Sequence, residues 1–238
     1  MRAVPSAGAR LEPVRTPRPR PESRAALHAE LRQRIISLQL VPGSALSENQ
    51  LADDLGVSRT PIRECLIMLR QEGFVEVIPQ VGTFVSRVDP HRVADAQFIR
   101  EAVETTGLRQ VEHPLDPQLV DRLRRNVERQ QGVATDVPAF VALDEDFHRG
   151  LLALSGHESA WQAIASERAH LDRARRLGLE EVTPAPYIAE HGAILDAVID
   201  GDLDRAIALL QAHVRAVFRD IERVQKRMPD VFTVPGIS

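Results

Sequence analysis

From residue 25 onward apolar side chains recur at helical steps: Leu27, Leu31, Ile35 and Leu38 fall on one helix face. Pro42-Gly43 stops that run. Ser47-Glu48-Asn49-Gln50 has the form of a capping box, and it opens a second helix with Leu51, Ala52 and Leu55 inside and Gly56 at its end. Ser58 is read as the cap of a third helix running to about Glu72, with Pro61 tolerated in the first turn. Its inward stripe is Ile62, Cys65, Leu66 and Leu69. The pattern then turns to short strands over 74–78 and 83–86, joined by a turn from Pro79 to Gly82. Three helices and a hairpin, with a tight Gly56-Val57 turn before the third helix, predict a winged helix-turn-helix over 25–88.

Beyond Asp89-Pro90 no strand pattern appears. Six helices are predicted, over 91–112, 117–131, 137–155, 158–177, 186–200 and 203–227. Pro114, Gly132, Gly156, Thr183-Pro184 and Gly201-Asp202 mark the breaks. The expectation is a mainly α chain, with the winged domain followed by an antiparallel all-α bundle over 89–228. Residues 1–24, rich in Arg and Pro and without an apolar period, read as a disordered basic arm, and 229–238 as a poorly packed tail.

Composition sharpens this picture. Apolar residues make up 43% but aromatics only 4%, so the core is built from Leu, Val, Ile and Ala. The single cysteine, Cys65, excludes an internal disulfide and suits a reducing cytoplasm; it is read as a small core residue. No run approaches a membrane span of about 18 apolar residues, and the start has no signal-peptide core. Up to Val88 there are 12 arginines against 9 acids; the remainder holds 18 basic and 25 acidic residues. A relatively basic first domain suits a polyanion partner.

Arg59 and Arg63 lie one turn apart near the start of the third helix, off its apolar stripe. In a helix-turn-helix this end of the second helix reaches base edges, where arginine pairs with guanine. Ser58 and Thr60 offer hydroxyl and N–H groups to phosphate, and the small hairpin tip around Gly82 can approach the duplex. Double-stranded operator DNA with an inverted repeat, bound by a homodimer, is the expected partner.

In the bundle, Asp144 and His148 form an i, i+4 pair beside the stripe of Phe140, Leu143, Phe147 and Leu151. His191 aligns with Ile188, Leu195 and Val198, and His213 with Ala206, Leu210 and Val217. Three helices thus aim ligand-type side chains at one interior. A divalent metal held by Asp144, His148, His191 and His213 satisfies all four; the alternative is four separately hydrogen-bonded core groups. His28, His91, His113, His157 and His170 lack this register and receive no role.

The run from Leu51 to Glu64, with Gly56-Val57-Ser58-Arg59-Thr60-Pro61-Ile62-Arg63-Glu64 at its centre, then Glu72-Gly73 and the wing, resembles the GntR family of bacterial regulators. Asn49 stands where that family often carries an arginine. The run Asp144-Glu145-Asp146-Phe147-His148, Glu190-His191 with Ile194 and Leu195, Gly201-Asp202 and the late His213 resemble the FCD domain of its FadR subfamily. Six bundle helices resemble its VanR-type branch. The resemblance implies operator contacts by Ser58, Arg59, Thr60, Arg63 and Gly82. It also implies zinc, nickel or manganese on the Asp and three His, a small carboxylate effector, and Arg100 of an Arg-x-x-x-Glu motif with Glu104 as its clamp. A regulator whose operator affinity answers to that effector, in the sense of a repressor, is therefore expected. A metal-dependent enzyme on a helical bundle and an effector-free architectural DNA-binding protein are the competing readings.

Overall fold

The structure, a computed structural model, describes residues 21, 23–179 and 183–233. The proposed arm lies almost wholly outside them. Its end caps the first helix, α1 (Arg24–Ile36): the Ser23 side chain accepts from the Ala26 N–H at 3.1 Å. α1 stops before Pro42, because Leu38 takes a left-handed φ of 63°. α2 (Glu48–Leu55) is capped by the Ser47 hydroxyl, which accepts from the Gln50 N–H, and it closes on Gly56 at φ 65°. That left-handed residue makes the tight turn into α3 (Arg59–Gln71). β1 (Val75–Ile78) and β2 (Gly82–Val85) pair antiparallel with Val75 opposite Val85 and Ile78 opposite Gly82. Leu31, Ile35, Ile62, Leu69, Phe74 and Val85 close one core under these elements.

The second domain holds α4 (Pro90–Arg109), α5 (Pro117–Gly132), α6 (Val137–Ala153), α7 (Glu158–Ala163), α8 (Ala165–Leu179), α9 (Ala185–Ile199) and α10 (Leu203–Arg227). The helix predicted over 158–177 is therefore two, giving seven bundle helices rather than six among the described residues. The break at Ile164 lets Trp161 turn inward, 5% exposed, with the Arg168 guanidinium 4.0 Å above its ring. No Gly or Pro marks this break, because tertiary packing makes it.

The tail also departs from expectation. Phe232 is 2% exposed, and its strand-like segment pairs with Val88: the Val88 N–H donates to Val231 O at 2.8 Å, and the Thr233 N–H to Val88 O at 2.9 Å. A lone aromatic after Pro229 carries no period, so only the joint between the two domains reveals its seat.

That joint is centred on α8. Ala169 enters the winged domain's core. His170 stacks on Phe74 with centroids 4.3 Å apart, and its Nε2 lies 2.9 Å from Glu72 O. Arg173 donates to Ser86 O at 2.5 Å, and Arg32 of α1 donates to Ala165 O at 3.3 Å. The two arginines supply their backbone carbonyls with charged donors.

Candidate nucleic-acid interface and metal centre

The start of α3 projects from the winged domain. Arg59, Thr60 and Arg63 are exposed, with 58% and 62% of the two arginine side chains accessible. Both arginines meet one carboxylate. Glu48, in the first turn of α2, accepts from Arg63 Nε and Nη2 at 3.0 Å each and from Arg59 Nη2 at 3.2 Å. The Arg63 guanidinium holds the Glu48 carboxyl below its ordinary range. Nothing in the spacing of the sequence points to Glu48, whose approach depends on the turn at Gly56. Ser58 stands at the N-cap position but makes no side-chain cap bond, contrary to the capping role read for it, so its hydroxyl is not committed to the helix end. On the wing, Gln80 and Gly82 both have positive φ, 62° and 152°, which bares Val81 at the tip with 68% exposure.

In the bundle, Asp144, His148, His191 and His213 come together from α6, α9 and α10, each offering one ligand atom within 4.8 Å of the others. His213 Nε2 lies 3.1 Å from His191 Nε2 and 3.2 Å from His148 Nε2; Asp144 Oδ1 lies 3.4 Å from His191 Nε2. Donors about 2.1 Å from a common ion stand about 3–3.5 Å apart, so these spacings fit one.

The second nitrogens decide the tautomers. His148 Nδ1 donates to Glu104 at 2.6 Å, and His213 Nδ1 to Glu190 at 2.7 Å. His191 Nδ1 donates to Gln130 Oε1 at 2.7 Å; Gln130 in turn donates to Asn126, which donates to Leu143 O. With protons fixed on Nδ1, three Nε2 lone pairs face one another, which neutral imidazoles leave unsatisfied unless a cation sits between them.

Charge states agree. Burial pushes His148 down to about 4 and His191 well below its ordinary value, so both are neutral near pH 7. Burial pushes Asp144 upward, yet Arg175, donating to both its oxygens at 2.7 and 2.8 Å, holds it well below the usual carboxylate range. His148 and His191 thus offer neutral nitrogens beside one carboxylate, the form in which such ligands bind a divalent metal.

Arg100, the predicted clamp, is 1% exposed and donates from Nε to Glu104 at 2.5 Å, so the ion pair with Glu104 is buried rather than superficial. Among the described residues its Nη2 has no hydrogen-bond partner. A cavity of about 10 Å³ lies beside it, walled also by Arg175, Tyr187, His213 and Asp220. Arg175, Asn126 and Gln130 escaped the sequence reading, which quoted Glu190 only as part of the FCD-like run and gave it no role. The i, i+4 amide pair at 126 and 130 and the acid next to His191 were the available signals; Arg175 had none.

Buried neutral histidines make acid stability a test. His148 and His170 sit near 4 in the fold, the latter through burial, against about 6.5 unfolded. The unfolded chain therefore takes up protons first. The stability these groups contribute is fully present above about pH 6.5 and is lost as pH falls toward 4. Melting temperatures in chelator are expected to fall across that window; a flat profile there contradicts the neutral assignment.

Residues 24–85 match the family model described as bacterial regulatory proteins, gntR family, and residues 95–216 match the FCD domain. An HTH-type transcriptional regulator in an unstable DNA locus of Streptomyces ambofaciens is 53% identical over 217 residues, covering 91% of this chain and 92% of that one. The HTH-type transcriptional repressor RspR of Escherichia coli is 27% identical over 85% of this chain and 90% of its own. Among solved structures, E. coli McbR/YncC superposes with a TM-score of 0.68 at 20% identity, over 86% of this chain and 97% of the other.

Proposed function

The chain belongs to the GntR family of bacterial transcription regulators and carries an FCD domain, and on that premise we propose a metal-dependent, carboxylate-responsive repressor. Its relatives are regulators rather than enzymes, so the enzyme reading is set aside. Two winged domains of a homodimer bind an inverted repeat through Arg59 and Arg63, with Ser58, Thr60 and Gly82 on the backbone. Phe98 of α4, 74% exposed, and Phe218 of α10 offer apolar surface to the second copy.

Asp144, His148, His191 and His213 hold the metal; three imidazoles and a carboxylate favour zinc, nickel or manganese. When bound, the ion supplies positive charge for an effector carboxylate. Arg100 offers the same carboxylate its unpaired, buried Nη2, a group that is costly to leave unmade.

One observation carries the regulatory reading. α8 touches both sites: Arg175 grips the metal ligand Asp144, while Arg173, two residues earlier, grips Ser86 behind the wing. A shift of α8 that improves one contact changes the other, the condition for coupled affinities. The test measures affinity for the chain's own promoter DNA at moderate salt, with zinc alone and with zinc plus carboxylates. A 5- to 150-fold change in DNA affinity, on the order typical of such coupling, is expected. In Arg173→Met, zinc and DNA should still bind separately while that change shrinks toward none. Absence of sequence-specific retention overturns the regulator reading; unchanged coupling in Arg173→Met overturns the α8 route.

A further inference from the structure

Beyond Arg63 the outward face of α3 continues with Ile67 and then Arg70. At 3.6 residues per turn, Arg59, Arg63, Ile67 and Arg70 fall within about 80° of one another round the helix. Ile67 is 53% exposed and lies outside the buried stripe of Ile62, Cys65, Leu66 and Leu69. Met68, 36% exposed, stands about 100° further round and falls off this face. Arg70 is exposed, and among the described residues its side chain has no hydrogen bond or ion pair. The one acid of α3, Glu64, lies about 140° from Arg59 and pairs with Arg24.

The face is therefore three arginines enclosing one branched hydrocarbon. Arginines so placed suit a polyanion, and an isoleucine has nothing to offer a phosphate. A single exposed apolar residue is ordinary on a protein surface; a place between two arginines on the face that turns toward DNA gives this one a partner. The major-groove edges of the base pairs carry one apolar group, the C5 methyl of thymine. Ile67 has neither donor nor acceptor in its side chain, so that methyl is the feature it can read. Four residues advance a helix by about 6 Å, and bases rise about 3.4 Å along a strand. The methyl that Ile67 meets thus belongs about two base pairs from the guanine that Arg63 meets.

We propose that Ile67 is a specificity-determining residue that packs on a thymine methyl and so selects that base in each half-site. The proposal rests on the reading of α3 as the helix that enters the major groove, and it adds a position to the arginine pair.

The test is fluorescence anisotropy of the full chain on its operator, with each thymine of a half-site replaced in turn by deoxyuridine. That exchange removes one methyl and keeps the base pairing. In the wild type, one position near the arginine-read guanine should lose about fourfold when changed in one half-site and about 15-fold in both, the scale of one and two buried methyl groups. In Ile67→Ala the thymine and deoxyuridine operators should bind within about twofold of each other, while Ile67→Val keeps most of the difference. Ile67 is exposed, so both variants should melt with the wild type, which reports that they fold. Indifference of the wild type to every thymine methyl, or a loss that survives unchanged in Ile67→Ala at every sensitive position, overturns the proposal. In either case, sequence-specific binding that is lost in Arg63→Ala leaves the reading of α3 standing. Absence of sequence-specific binding overturns both.

Discussion

Arg63→Ala should lose at least tenfold in affinity for the chain's operator, and the loss should concentrate at one base pair of each half-site. A bidentate arginine–guanine contact discriminates by about 1–3 kcal/mol, roughly 5- to 150-fold. Arg63 is exposed, near the start of α3, and among the described residues it is bonded to Glu48. The pairing with Glu48 tempers the gain, because the guanidinium must exchange a carboxylate for the base. Arg59→Ala should act in the same sense through its single bond to the same carboxylate. Fluorescence anisotropy on operator variants at several salt concentrations separates the cases. A loss equal at all sequences, with a salt slope reduced by about one, would make Arg63 a phosphate contact instead.

His213→Ala should weaken zinc binding by at least about 100-fold. Removing groups that merely orient a metal ligand typically costs 10- to 100-fold, and His213 Nε2 is itself one of the four converging donors. The companion variant Asp144→Asn separates metal affinity from folding. It removes the carboxylate but leaves Arg175, buried beside it, without an anionic partner. Breaking a buried pair on one side costs about 3–5 kcal/mol, so Asp144→Asn should melt lower even in chelator. His213→Ala frees the Glu190 carboxylate instead, which is 39% exposed and can be solvated. Chelation should lower the melting temperature of the wild type and have little further effect on His213→Ala. Equal zinc affinity in wild type and His213→Ala, by competition with a chromophoric chelator, would remove the metal from the account.

Apolar periodicity placed α10 at its observed bounds and the first three helices close to theirs, because those helices carry their own caps and breakers: Ser47, Gly56 and Gly73. The same register arithmetic put Asp144, His148, His191 and His213 on inward faces. A side chain's direction on a regular helix follows from its spacing alone. These are local properties, and the chain states them locally.

Tertiary contact decided the rest. Trp161 broke a helix that has no breaker, and Phe232 found a seat at Val88 that nothing in its neighbourhood announces. Glu48 met Arg59 and Arg63, and Arg175 met Asp144, across gaps of 11 to 31 residues. His170, without any register, became the ring stacked on Phe74 at the domain joint. Which faces point inward is a question of period and is answered residue by residue. Which partner waits on the other side depends on how separate helices dock, and no single segment holds that information.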